Sequence, residues 1–162
     1  MISLIIIISF ILDWIINNIV NYQYNNLSLF TPLLTIVCIF LIYPLFKKKK
    51  NNYFIVLFII GIIYDLLFTN LIIVNRFLFL LIGYITKYIY DNYELNILTI
   101  TISLIFIISV YETSLLLILV VLRIYDFSII DLLYKISHSL LLNIIYGLIG
   151  YYLIGLNKKK LT

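Results

Sequence analysis

Tyr53-Phe-Ile-Val-Leu-Phe-Ile-Ile-Gly61-Ile-Ile-Tyr64-Asp65-Leu-Leu-Phe-Thr69 is an apolar run that holds a single carboxylate one helical turn after a glycine. A helix rises ~1.5 Å per residue, so the run crosses most of a ~30 Å hydrocarbon core. An acid near the centre of a bilayer costs at least ~2.5 to 3.5 kcal/mol on insertion scales and is a functional or structural marker by default. If the helix enters from the cytoplasm near Tyr53, Asp65 lies ~18 Å along it, in the outer half. Gly61 shares its face at i, i+4, where a missing side chain lets another helix backbone approach the carboxylate.

The rest of the chain agrees with a membrane setting. Of 162 residues, 65% are hydrophobic and 11% charged, with a mean hydropathy of +1.19; soluble domains carry roughly 25% charge. The composition predicts an all-α integral membrane protein, a bundle of about six transmembrane helices forming one polytopic domain over 1–162. Cys38 is the one cysteine, so no intramolecular disulfide is possible. The net charge of +4 comes from lysine clusters, which report topology and do not imply nucleic acid. The fifteen tyrosines are too scattered for an aromatic binding site, although those at run ends suit interfacial belts.

Six apolar runs are legible: 2–20, 31–46, 53–69, 71–90, 95–122 and 136–156. Asn21 to Ser28 reads as a short loop, and Thr31 and Pro32 read as the cap and first residue of the second helix. Asp91 to Glu94 reads as a tight connection. The fifth run outlasts a ~30 Å core, which leaves a tilted helix or a span with a re-entrant piece. Arg123 to Lys135 reads as an amphipathic connection. With six spans and both termini cytoplasmic, Lys47 to Lys50, Lys87 and Lys158 to Lys160 fall inside, against Arg76, Arg123 and Lys135 outside. Positive charge thereby concentrates on the cytoplasmic side, as the topology rule requires. The amino-terminal run lacks a basic n-region and a small-residue cleavage site, and reads as a retained helix.

Further polar residues interrupt the runs. Asp13 is mid-span in the first, available to Arg76 or another polar partner, and Glu112 is the corresponding acid in the fifth. Asn143 follows Ser137-His138-Ser139 in the last, where its amide can donate and accept across a helix interface for ~0.6 to 2 kcal/mol. His138 is the only histidine, so no histidine pair forms a metal site, and the isolated acids make no cation cage. Nucleophile-elbow glycines and a phosphate-binding loop are absent. The sequence predicts no enzyme and no cofactor.

The order of these features resembles the bacterial rod shape-determining protein MreD family. Gly61-Ile-Ile-Tyr64-Asp65 matches its glycine-rich helix ending in an aromatic-Asp pair, Asp13 its first-helix acid, Glu112 its fifth-helix acid and Leu142-Asn143 its final-helix asparagine. Two elements depart: Phe68-Thr-Asn70-Leu71 stands where the family has a second glycine-rich turn, and the proline often preceding the final asparagine is missing. The resemblance implies a non-enzymatic plasma-membrane component of the rod complex, which couples MreB filaments to peptidoglycan synthesis. Its expected partners are the single-span MreC and, in the wider complex, MreB, a SEDS glycosyltransferase and a class B penicillin-binding protein. Asp13, Gly61, Tyr64, Asp65, Glu112 and Asn143 would hold the bundle together or shape the partner face. Such bundles also resemble the S-components of energy-coupling factor vitamin transporters, an alternative in which Asn70, Asn75, Arg76 and Asp126 would line a small-molecule pocket.

Overall fold

The computed structural model describes residues 2–20, 32–46, 50–68 and 73–158, which form six α-helices and no strand. They are α1 (Ile2–Ile15), α2 (Leu34–Ile42), α3 (Lys50–Phe68), α4 (Val74–Asn92), α5 (Ile97–Val121) and α6 (Ile129–Lys158). A π-helical turn, Ile16–Val20, prolongs α1, and a 3₁₀ turn, Tyr43–Phe46, closes α2.

α2 is the axis of the bundle. Every residue from Leu34 to Ile42 is buried, and α1, α4, α5 and α6 all pack against it. A helix apolar on all sides, Leu-Thr-Ile-Val-Cys-Ile-Phe-Leu-Ile, has no solvent-seeking face and belongs in the middle. Around it α3 packs on α4 and α5 on α6. The outer surface is also apolar, with Leu66, Leu98 and Ile130 each more than 60% exposed. Apolar groups on both the inside and the outside of a helical bundle are the mark of a protein whose solvent is lipid. Among the described residues, three helical segments are long and apolar enough to cross a membrane: Asn51–Phe68, Ile97–Val121 and Ile129–Leu153. Leu4–Asn18 and Leu34–Phe46 are shorter apolar helices.

Several predicted boundaries move. The fifth run is one continuous helix, without a re-entrant piece. Its start is fixed by Asn96, whose Oδ1 accepts the Thr99 N–H at 2.7 Å. Its end is fixed by Arg123 at φ 57°, where Ile124 N–H donates to Leu119 O and Arg123 N–H to Val120 O, a Schellman closure. The last helix begins at Ile129, seven residues before the apolar run, so Asp131 and Lys135 are helical and not part of the connection. Asp91 and Asn92 likewise belong to α4. Pro32 precedes α2 and is not its first residue. Thr31, the loop 21–28, Asn70, Lys47 to Lys49, and Lys159 and Lys160 lie outside the described residues.

Tyrosines that are scattered in sequence gather at one end of α2. The Tyr43 ring lies 5.0 Å from Tyr53 and 5.1 Å from Tyr90, and Phe40 is 5.1 Å from Tyr90. Tyr53 Oη donates to the Ile39 carbonyl at 3.1 Å. These rings are packed core.

Candidate functional site

Two helices begin inside the bundle, and each start is met by a carboxylate from another part of the chain. The first N–H groups of a helix have no partner within it and must find one elsewhere. At α2 the residue before the helix is Leu33, which has no capping side chain. Asp13 of α1 supplies the acceptors instead. Its Oδ1 accepts the Leu34 N–H at 2.8 Å, and its Oδ2 accepts the Thr35 N–H at 2.9 Å and the Thr35 hydroxyl at 2.5 Å. Asn143 of α6 completes the cap: its Oδ1 accepts the Leu33 N–H at 2.9 Å, while its Nδ2 donates to the Ser139 carbonyl at 2.6 Å. Asp13 and Asn143 are both fully buried. The negative carboxylate also faces the positive end of the α2 dipole. Capping from α1 and α6 is why the helix starts at Leu34, after Pro32.

Asp65 performs the same task for α4. Its Oδ2 accepts the Ile73 N–H at 3.0 Å, and its Oδ1 accepts the Asn75 N–H at 3.0 Å and Asn75 Nδ2 at 2.8 Å. Tyr111 of α5 donates its hydroxyl to Asn75 Oδ1 at 2.7 Å, so one network ties α3, α4 and α5. Ile73 holds φ 106°, a left-handed conformation that costs a β-branched residue of order 1 to 3 kcal/mol. The Asp65 acceptor is what holds it there.

Gly61 makes this cap possible. A Cβ on Gly61 would overlap the Arg76 Cα and lie 2.8 Å from its N and 3.0 Å from its Cβ. The backbones of α3 and α4 therefore touch one turn below Asp65, which brings the start of α4 within reach of the carboxylate. Gly83, Gly147 and Gly150 instead face the ends of leucine side chains, and Gly155 faces nothing within 4 Å. Four of the five glycines thus lie where another helix packs closely.

Tyr64 is buried where three helices meet, with ring centroids 6.0 Å from Phe10, 4.7 Å from Phe68 and 5.2 Å from Phe79. Glu112 is buried beside Tyr111 on α5, and the opposite charge acting on it is Lys135 of α6. Asp13 meets Thr35 and not Arg76. The predicted residues thus sort into one cluster at the start of α2, Asp13 with Asn143, and one at the start of α4, Gly61 with Asp65.

Sequence reasoning missed Thr35, and it placed Asn75 in a pocket. Asn75 is fully buried and spends its amide on Asp65 and Tyr111. Asp126 is in an exposed segment, and Asn70 lies outside the described residues. A groove of about 750 Å³ between α4 and α5, lined by Tyr84, Tyr88, Tyr93, Leu98 and Phe106 among others, contains none of Asn75, Arg76 and Asp126, the described residues assigned to a small-molecule pocket. Among the described residues no group of three or more His, Cys, Asp and Glu is placed to hold a metal ion. The carboxylates of Asp13 and Asp65 are occupied by backbone donors, and what this arrangement does chemically is fix helix starts.

The model of the family of rod shape-determining protein MreD matches residues 1–158. No curated protein and no solved structure matches the chain significantly. Matched over nearly its whole length, the chain belongs to the MreD family of rod shape-determining proteins.

Proposed function

We propose that the chain is a non-enzymatic membrane scaffold of the rod complex, binding MreC and helping couple MreB filaments to peptidoglycan synthesis. In this reading it crosses the plasma membrane six times with both termini cytoplasmic. The family match over residues 1–158 carries the proposal. Two further observations support it. The in-span carboxylates Asp13 and Asp65 accept hydrogen bonds from helix starts, which suits a rigid framework. Eight of the eleven basic residues fall on the cytoplasmic side in that topology.

Affinity purification from native membranes tests it. MreC co-purifying with the wild-type chain, and a loss of MreC recovery and of rod shape on Asp65→Leu, are the expected outcomes. Normal rods and unchanged MreC recovery would count against it, and an ATPase module of a vitamin transporter in the eluate would overturn it.

A further inference from the structure

Arg76 is half-buried, and among the described residues its cation has no acid beside it. Its backbone lies against Gly61, so the first turn of α4 sits beside the middle of α3. Its guanidinium carbon lies 5.9 Å from the Phe58 ring and 6.0 Å from the Phe77 ring. By the helical rise Phe58 is ~12 Å from Lys50 at one end of α3 and ~15 Å from Phe68 at the other, so the guanidinium lies beside the middle of α3. Arg76 Nε is buried without a hydrogen-bond partner, and among the described residues the side chain makes no ion pair. Phe58 and Phe77 are themselves 38% and 60% exposed, so the cation opens on the outward, lipid-facing side of the bundle.

A charge so placed pairs with an opposite one or retreats to an interface. Among the described residues the chain supplies no acid for it: Asp13 and Asp65 accept from helix starts, and Glu112 is buried on α5, where the opposite charge acting on it is Lys135 of α6. A second copy has none to lend at that depth, because its three in-span carboxylates are at most 6% exposed. Lipid phosphate belongs at the interface. We propose that the α3–α4 face centred on Arg76, Phe58 and Phe77 receives a transmembrane helix of a partner protein carrying an aspartate or glutamate at mid-span. The proposal rests on the scaffold reading for the existence of a membrane partner, and on charge complementarity for where that partner docks.

The test places the photocrosslinking residue benzoylphenylalanine at Phe77 of the full chain in native membranes, with Ile145 of α6 as the control position. The expected result is capture, at Phe77 alone, of a protein identified by mass spectrometry as having an acid within an apolar span. Arg76→Leu should cut that capture by about tenfold or more. It should leave the thermal midpoint in detergent close to that of the wild type, since among the described residues the guanidinium meets only the Phe58 and Phe77 rings, at 5.9 and 6.0 Å, and makes no ion pair. Arg76→Asp should abolish capture, and changing the partner's acid to arginine should restore it. Adducts only with lipid or with a second copy, or capture that Arg76→Leu leaves within about twofold, overturn the proposal. MreC recovery that ignores Arg76 would overturn this docking face and leave the scaffold function standing. Acid-dependent capture of another membrane protein without MreC would do the reverse.

Discussion

Gly61→Ala should be among the most damaging single-methyl changes in this chain. The added carbon would overlap the Arg76 Cα and sit 2.8 Å from Arg76 N, whereas non-bonded carbons rest at about 3.5 to 4.0 Å. The Arg76 atoms it meets are mainly backbone, so α3 and α4 must separate by roughly 1 Å to reach that spacing. Asp65 accepts bonds from Ile73 and Asn75 at 2.8 to 3.0 Å; opened by that much they pass the range of a hydrogen bond. Overpacking costs about 1 to 3 kcal/mol, and each hydrogen bond lost to a charged acceptor about 1.5 to 3 kcal/mol. The gain in helix propensity, roughly 1 kcal/mol, offsets part of this. The losses are not additive because one shift causes them all, and a net destabilisation of ~2 to 4 kcal/mol is expected. Unfolding of the purified protein in mixed micelles measures it, with Gly155→Ala, which meets nothing within 4 Å, as the control. A double-mutant cycle with Asp65→Leu should show strong coupling, since either change removes the same cap. Gly61→Ala within ~0.5 kcal/mol of wild type, the usual scatter of neutral substitutions, would refute the argument.

Other consequences are as specific. Asp13→Leu orphans the Leu34 and Thr35 N–H groups in a dry bundle and should destabilise by ~3 to 5 kcal/mol, while Asp13→Asn, which keeps one acceptor oxygen, should cost less; unfolding midpoints of the pair decide it. Arg123→Gly places the residue that favours φ 57° at the end of α5 and should stabilise by about 1 kcal/mol, read as a rise in the same midpoint.

The family resemblance was legible because its marks are local: a glycine and a carboxylate four residues apart, an acid in the first run, an asparagine in the last. The purpose of those marks was not legible. Asp13 and Thr35 are joined although 22 residues apart in the sequence, and Asn143 reaches Leu33 from the other end of the chain; periodicity reports which face a residue is on and not which helix it meets. The start of α6 was misplaced for a related reason, since Asp131 and Lys135 lower the hydropathy of a turn that is helical all the same.

Composition and spacing alone determined a membrane-embedded helical chain, where most of its helices lie to within a few residues, and that Asp65 shares a helix face with Gly61. These follow from local properties, the transfer energy of side chains into lipid and the pitch of a helix. Only the tertiary structure decided that α2 is the central helix, that the buried acids cap helix starts, and that Arg76 is left facing outward without an acid. Those depend on which backbone N–H groups lack partners once the helices are packed, and that is settled only when distant segments meet.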